Sequence, residues 1–178
     1  KGGQPYVEGD RLVQPDLART LRAIAARGPD AFYRGSIADL IEAEMVRTGG
    51  LIRKADLAAY APVERAPVTG TYRGHDVIGM PPISSGGIAL VQTLNVLEGF
   101  PLAEYGHNSS KTIHLVAEAT RRVYADRSEF LGDPAFVKVP QIGLTSKRYA
   151  AALRSTIDPA RATRSSLVRP GTPAQFES

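Results

Sequence analysis

The sequence has no cysteine, which excludes disulfide staples, a thiol nucleophile and cysteine zinc sites. It leaves the compartment open, because an exported protein need not carry disulfides. No apolar run approaches the roughly 20 residues of a membrane-spanning helix, and Lys1 to Gly9 lack the apolar centre of a signal peptide. Histidine is scarce: His75, His107 and His114 are the full set, and there is no G-x-S-x-G elbow to supply a serine nucleophile. Each histidine reads as an ordinary packed or exposed side chain. No carboxylate sits at a known ligand spacing between His107 and His114, so no metal site is expected. A G-x-G-x-x-G fingerprint is absent, no lysine follows the paired glycines that do occur, and no cofactor is expected.

What remains is a chain of 178 residues with 43% apolar content, enough for one hydrophobic core. Its net charge of +4 is not spread evenly. Residues 1–144 hold 16 basic and 16 acidic side chains, whereas beyond them Lys147, Arg148, Arg154, Arg161, Arg164 and Arg169 face only Asp158 and Glu177. Nucleic-acid recognition needs basic residues on one face together with stacking platforms. A basic tail rich in serine and proline but poor in aromatics offers neither, so no nucleic-acid partner is expected. The simpler reading is a solvated tail, or a strap lying on an acidic neighbouring subunit.

Along the chain, residues 1–10 are glycine-rich and aperiodic, and read as a linker within a longer protein. Pro15, Asp16 and the spacing of Leu17, Leu21 and Ile24 predict a helix over 15–27, stopped by Gly28-Pro29. Ser36 with Asp39 resembles a capping box for a helix running to Gly49-Gly50, and Lys54 to Tyr60 adds a third, so 11–60 reads as a small helical layer. After Pro62 and Pro67, Val68 to Tyr72 and Asp76 to Met80 predict a hairpin over 66–80. Ile88 to Leu97 reads as a buried helix. The longest helix is expected from a cap at Asn108 to Ser110 as far as Phe130, with Ile113, Val116, Ala117, Thr120 and Val123 as its core stripe and Glu118 to Arg122 as an i,i+4 pair. Thr145 is expected to cap a last helix through Tyr149, Leu153 and Ile157. The fold class is therefore α+β, predominantly α-helical with a short β-hairpin. Two strands make no stable sheet alone, so 61–157 is expected to pack on a larger sheet from further chain. Residues 158–178 read as an extended tail with few side chains in the core.

Two stretches are candidates for chemistry. Pro81-Pro82-Ile83-Ser84-Ser85-Gly86-Gly87 opens a buried helix, so Ser84, Ser85, Gly86 and Gly87 are the candidate substrate- or anion-binding residues. The simpler account makes a serine the helix cap and lets the glycines permit close packing. Tyr124 to Pro134 carries alternating charges that would either position a substrate or form a salt-bridge network at a helix end. Physical reading alone leaves no active site.

Glu8-Gly9-Asp10 to Asp16-Leu17-Ala18, Gly28-Pro29-Asp30-Ala31-Phe32-Tyr33, Gly49-Gly50-Leu51-Ile52 with Asp56-Leu57-Ala58-Ala59-Tyr60, the Pro81–Gly87 stretch, and Tyr124-Ala125-Asp126-Arg127 with Leu131-Gly132-Asp133-Pro134 resemble the γ-glutamyltranspeptidase family in order and spacing. The likeness spans nearly the whole chain. It departs at Ile83, where the family often has a third proline. The resemblance implies the αββα fold of an N-terminal nucleophile hydrolase, made as one precursor that cuts itself into a large and a small subunit. On that reading this chain is the C-terminal part of the large subunit, its end resembling Pro173-Ala174-Gln175-Phe176-Glu177-Ser178 before the cleavage site. The small subunit is then its partner. The small subunit's N-terminal threonine would attack γ-glutamyl amides such as glutathione and pass the acyl group to water, amino acids or peptides. No catalytic residue of the family falls on this chain, which by itself is expected to be inactive. A periplasmic or secreted location is implied as well. Cephalosporin or glutaryl acylase activity is the alternative within the superfamily, and a noncatalytic anion-binding module the alternative outside it.

Overall fold

The computed structural model describes residues 3–177, so Lys1 and Gly2 of the expected linker and Ser178 of the expected tail lie outside the described residues. Contacts divide the chain into two units, residues 1–63 and 64–178. In the first, α1 (Pro15–Arg27) begins on a proline, carries Asp16 in its first turn and Arg27 in its last, and ends at Gly28 with φ 66°. Short α2 (Asp30–Tyr33) leads into α3 (Ser36–Thr48), which closes on Gly49 in the left-handed conformation. The expected cap is displaced here. Ser36 is the first helical residue, Gly35 holds the cap position, and no side chain caps it. The cause is a tight turn out of α2: a Cβ on Gly35 would stand 2.9 Å from the Ala31 carbonyl oxygen. α4 (Lys54–Ala59) is capped by carboxylates instead, with Asp56 accepting from the Arg53 N–H at 2.8 Å and Glu42 of α3 from the Lys54 N–H at 2.9 Å. Among the described residues of this unit only Ala31 and Ala38 are buried apolar side chains, while Leu17, Leu21, Leu40 and Leu51 stay exposed.

The second unit opens with the predicted hairpin, β1 (Val68–Tyr72) against β2 (His75–Gly79), antiparallel with Val68 opposite Gly79 and Tyr72 opposite His75. Arg73 and Gly74 form the two-residue turn with φ 49° and 83°, the pair of positive angles that suits strand twist. Glu98 secures that turn. It accepts from the Arg73 N–H at 2.7 Å and from Lys147 Nζ at 2.5 Å, and these bonds, the backbone one first, hold its carboxyl below the usual range.

Helix α5 (Gly86–Leu97) lies at the centre, packed against the hairpin, α7 (Ser110–Phe130), α8 (Gln141–Thr145) and α9 (Lys147–Arg154); α6 (Leu102–Tyr105) is a single turn. Val68, Ile88, Val91, Val96, Leu115, Ala119, Leu144, Tyr149 and Ala150 form the core. Ser109 caps α7 by accepting from the Thr112 N–H, within the expected 108–110. The cap of α9 is Ser146 rather than Thr145, because the extra helix α8 occupies Thr145, whose hydroxyl donates to the Gln141 carbonyl.

The largest departure concerns α7. Of the expected core stripe only Val123 is buried; Ile113, Val116 and Ala117 are exposed, and with Tyr124 they line an open apolar groove. The buried face is Leu115, Glu118, Ala119, Arg122, Val123 and Asp126. Both faces have helical spacing, so periodicity alone does not choose between them. Mutual neutralisation and hydrogen bonding let the charged one go inside.

Candidate functional site

Glu118 and Asp126 are eight residues apart, about two turns, and so share one face of α7. Asp126 is fully buried. Its Oδ2 accepts from Gln92 Nε2 of α5 at 2.6 Å and from the Tyr149 hydroxyl of α9 at 2.7 Å, and its Oδ1 accepts from the Gly171 N–H at 2.7 Å. Three segments distant in sequence thus meet on one carboxylate. Burial, reinforced by the hydrogen bond to Asp126, pushes the Tyr149 phenol well up, so it stays protonated and donates.

Glu118 is equally enclosed. Its Oε2 accepts from Arg122 Nη1 at 2.7 Å and from the Thr163 hydroxyl at 2.6 Å, while its Oε1 accepts from the Thr163 N–H at 3.0 Å and forms an ion pair with Arg121 at 3.0 Å. Arg122 continues the network to the Thr156 hydroxyl and carbonyl at 2.6 and 2.7 Å. Burial is the largest single influence on the Glu118 carboxyl and pushes it up, but the donors from Thr163 and Arg122 with the charge of Arg121 together outweigh it, and the net shift is downward.

Among the described residues of the expected tail, Pro173 is the one buried side chain. The tail's regular structure is limited to two 3₁₀ turns, Ser165–Leu167 and Pro173–Phe176. It is nevertheless held at Thr163 and Gly171, Pro173 is buried, and the Phe176 ring lies 5.3 Å from that of Tyr149. The segment is fixed through backbone groups paired to buried carboxylates, which composition does not reveal.

The four candidates at the start of α5 divide between two tasks. The Ser84 hydroxyl accepts from the Gly86 N–H at 3.2 Å, whereas Ser85, at the cap position, makes no capping bond and accepts from Arg127 Nε at 2.9 Å. The two stretches singled out in the sequence therefore meet through Ser85 and Arg127. A guanidinium cannot take the serine proton, so this pair is not an activated nucleophile. Gly87 is buried against β2, and a Cβ there would stand 2.3 Å from the Met80 carbonyl oxygen and 2.9 Å from the Gly79 carbonyl carbon. Since those atoms are backbone, Gly87→Ala is expected to force α5 off the hairpin and to destabilise the protein by about 1–3 kcal/mol in urea unfolding. A change below about 0.5 kcal/mol, the range of an ordinary surface substitution, refutes the close-packing role.

The histidines stay apart: His75 is on β2, His107 in a turn, and His114 Nε2 lies 2.8 Å from the Asp158 carbonyl. Among the described residues no cluster of three His, Asp or Glu side chains could hold a metal ion, and no helix is long and apolar enough to cross a membrane. Sequence reading missed Gln92, Tyr149, Thr163 and Gly171 as partners of the α7 carboxylates. These bonds join residues 23 to 45 positions apart, and no local pattern signals them.

A family model described as gamma-glutamyltranspeptidase matches residues 1–177. Over 178 residues, 100% of its length, the chain is 53% identical to the glutathione hydrolase proenzyme of Escherichia coli K12, of which it spans 31%. It is 46% identical over 157 residues to the acylase ACY 1 proenzyme of Pseudomonas sp. SE83, covering 88% of this chain and 28% of that one. The solved structure of Helicobacter pylori gamma-glutamyltranspeptidase superposes with a TM-score of 0.93 at 49% identity, over 96% of this chain and 49% of that one. The chain thus spans less than a third of the length of these curated relatives. Mostly helical with one short antiparallel hairpin, it takes its place in the αββα fold expected from its motifs.

Proposed function

Because the chain belongs to the γ-glutamyltranspeptidase family, we propose that it is the C-terminal part of the large subunit of a self-cleaving precursor whose mature form cleaves γ-glutamyl amides. Glutathione and related γ-glutamyl compounds are the acyl donors, and water, amino acids or peptides the acceptors. The small subunit, cut from the same precursor, supplies the nucleophilic threonine and is the partner of this chain. The observation that carries this reading is the unbroken match over residues 1–177 together with 53% identity to a glutathione hydrolase proenzyme. A periplasmic or secreted location accompanies it. Ser84, Ser85, Gly86 and Gly87 serve packing and the Arg127 contact rather than substrate.

On this reading the chain by itself lacks the reacting groups. The isolated chain is expected to show no γ-glutamyl transfer or glutathione hydrolysis above buffer, and no saturable binding of phosphate or glutamate. Turnover by the pure chain overturns the subunit assignment, and tight phosphate binding favours an anion-binding module. The second enzymatic reading, a β-lactam side-chain acylase, is favoured by the 46% identity to an acylase proenzyme. The full-length protein decides between them: we expect release from γ-glutamyl anilides to exceed release from glutaryl anilides, and the reverse order assigns it to the acylases.

A further inference from the structure

We propose that Glu118 and Asp126 are positioning residues for self-cleavage, holding residues 163–177 so that a scissile bond on their C-terminal side is presented to its nucleophile. The inference rests on the precursor reading above. In the cleavage that reading requires, a threonine hydroxyl outside this chain attacks the carbonyl of the residue before it. The peptide C–N bond breaks, the hydroxyl proton passes to the departing amine, and an ester forms. Water then hydrolyses the ester, restoring the hydroxyl and leaving a carboxylate at the new C-terminus. The first step needs its reacting atoms about 3–3.5 Å apart, which is a demand on the segment that leads to the bond.

The structure meets that demand with a series of fixed points. Glu118 accepts from both the N–H and the hydroxyl of Thr163, and Asp126 accepts from the N–H of Gly171. Both carboxylates are buried and both take backbone donors, so they set the register of the segment rather than merely holding it near. The eight-residue spacing on α7 is matched by the eight positions from Thr163 to Gly171. Beyond Gly171, Pro173 is buried and Phe176 packs beside Tyr149. Glu177 accepts from the Gly143 N–H of α8 at 2.6 Å, and Gly143 lies so close to the strap that a Cβ there would be 2.0 Å from the Pro173 carbonyl oxygen. An unpinned chain gains up to about 3.5 Å of reach per residue. Released from Gly171 onward, the segment would spread its end over a range many times the reacting distance. Carboxylates fixed on the longest helix remove that freedom before the reaction begins.

This role is distinguishable from general stability, because positioning for cleavage ceases to matter once the bond is cut. Gly171→Ala is a strap-directed probe: its methyl would stand 2.2 Å from the Tyr149 hydroxyl oxygen and push the strap away, while Asp126, Gln92 and Tyr149 are left unsubstituted. Thr163→Val is the milder probe, removing only the hydroxyl donated to Glu118. Each is made in two formats: the single full-length precursor, whose conversion to two chains is timed on gels, and the two subunits co-expressed as separate chains, which need no cleavage. Gly171→Ala is expected to slow precursor conversion about tenfold or more, and Thr163→Val by less. The co-expressed enzymes are expected to keep parental kcat and KM, with Tm lowered by a few degrees for the buried hydrogen bond each variant weakens. Conversion within twofold of the parent for both variants overturns the inference, and so does an equal loss in both formats, which makes the strap a packing element only. A parent precursor that never converts instead overturns the precursor reading, and the inference with it.

Discussion

Replacing Asp126 with alanine in the full-length protein is expected to destabilise it by about 3–6 kcal/mol, because two buried donors and one half-buried donor lose their acceptor and each orphaned buried donor costs about 1–3 kcal/mol. The donors belong to Gln92 on α5, Tyr149 on α9 and Gly171 in the C-terminal strap. Gln92 and Tyr149 cannot turn theirs to solvent, being 1% and 2% exposed. A domain with roughly 5–15 kcal/mol of stability loses a large share of it in one step. Tyr149→Phe is the control. It removes one donor and leaves the carboxylate two partners, so it is expected to cost about 0.5–1.5 kcal/mol. Urea unfolding at neutral pH measures both. An Asp126→Ala penalty no larger than that of Tyr149→Phe would falsify the account of Asp126 as the junction of three segments.

Why this junction was invisible in the sequence, when much around it was legible, follows from the range of the interactions. Local signals are legible: Pro15, Asp16 and Gly28 bound α1 where the spacing predicts it, and Val68 to Tyr72 pairs with the next strand across Arg73-Gly74. Those features arise within a few residues of chain. The face that α7 buries is decided elsewhere. Ile113, Val116 and Thr120 are the more apolar stripe, yet the helix turns Glu118, Arg122 and Asp126 inward, because Thr156, Thr163, Tyr149 and Gly171 arrive to satisfy them. Glu118 and Arg122 are recognisable as an i,i+4 pair from spacing, but nothing in the spacing says that Arg122 is 5% exposed rather than solvated. Likewise Ser85 and Arg127 stand in two separate notable stretches, and only the packing of α5 on α7 brings them within 2.9 Å. Family membership, by contrast, was legible from the order of several motifs, although no single one carries chemistry.

The α7 carboxylate at the other end of the strap makes a prediction with a pH signature. Glu118→Ala is expected to cost about 3–5 kcal/mol at neutral pH, the usual penalty for removing one partner of a buried ion pair. It leaves the Arg122 guanidinium enclosed without its carboxylate and orphans both the N–H and the hydroxyl of Thr163. The direction of the Glu118 shift fixes where this contribution appears. Its carboxyl is held below the usual range in the folded protein, against about 4.3 in an unfolded chain. The folded state therefore binds its proton less readily than the unfolded state, and stability falls as pH drops. The contribution is fully present above about pH 4.3 and is lost as pH descends through the depressed folded value. The parent should accordingly lose stability faster than the variant between neutral pH and the acid limit, with the two curves converging at low pH. Denaturant midpoints taken at intervals from pH 7 to 3 test this, and Glu118→Gln separates charge from shape. Gln keeps one acceptor for Thr163 but offers Arg122 no counter-charge, so its curve should lie between the other two and lack the steep acid limb. Parallel curves for parent and Glu118→Ala across that range mean that the Glu118 charge does not hold the strap on α7.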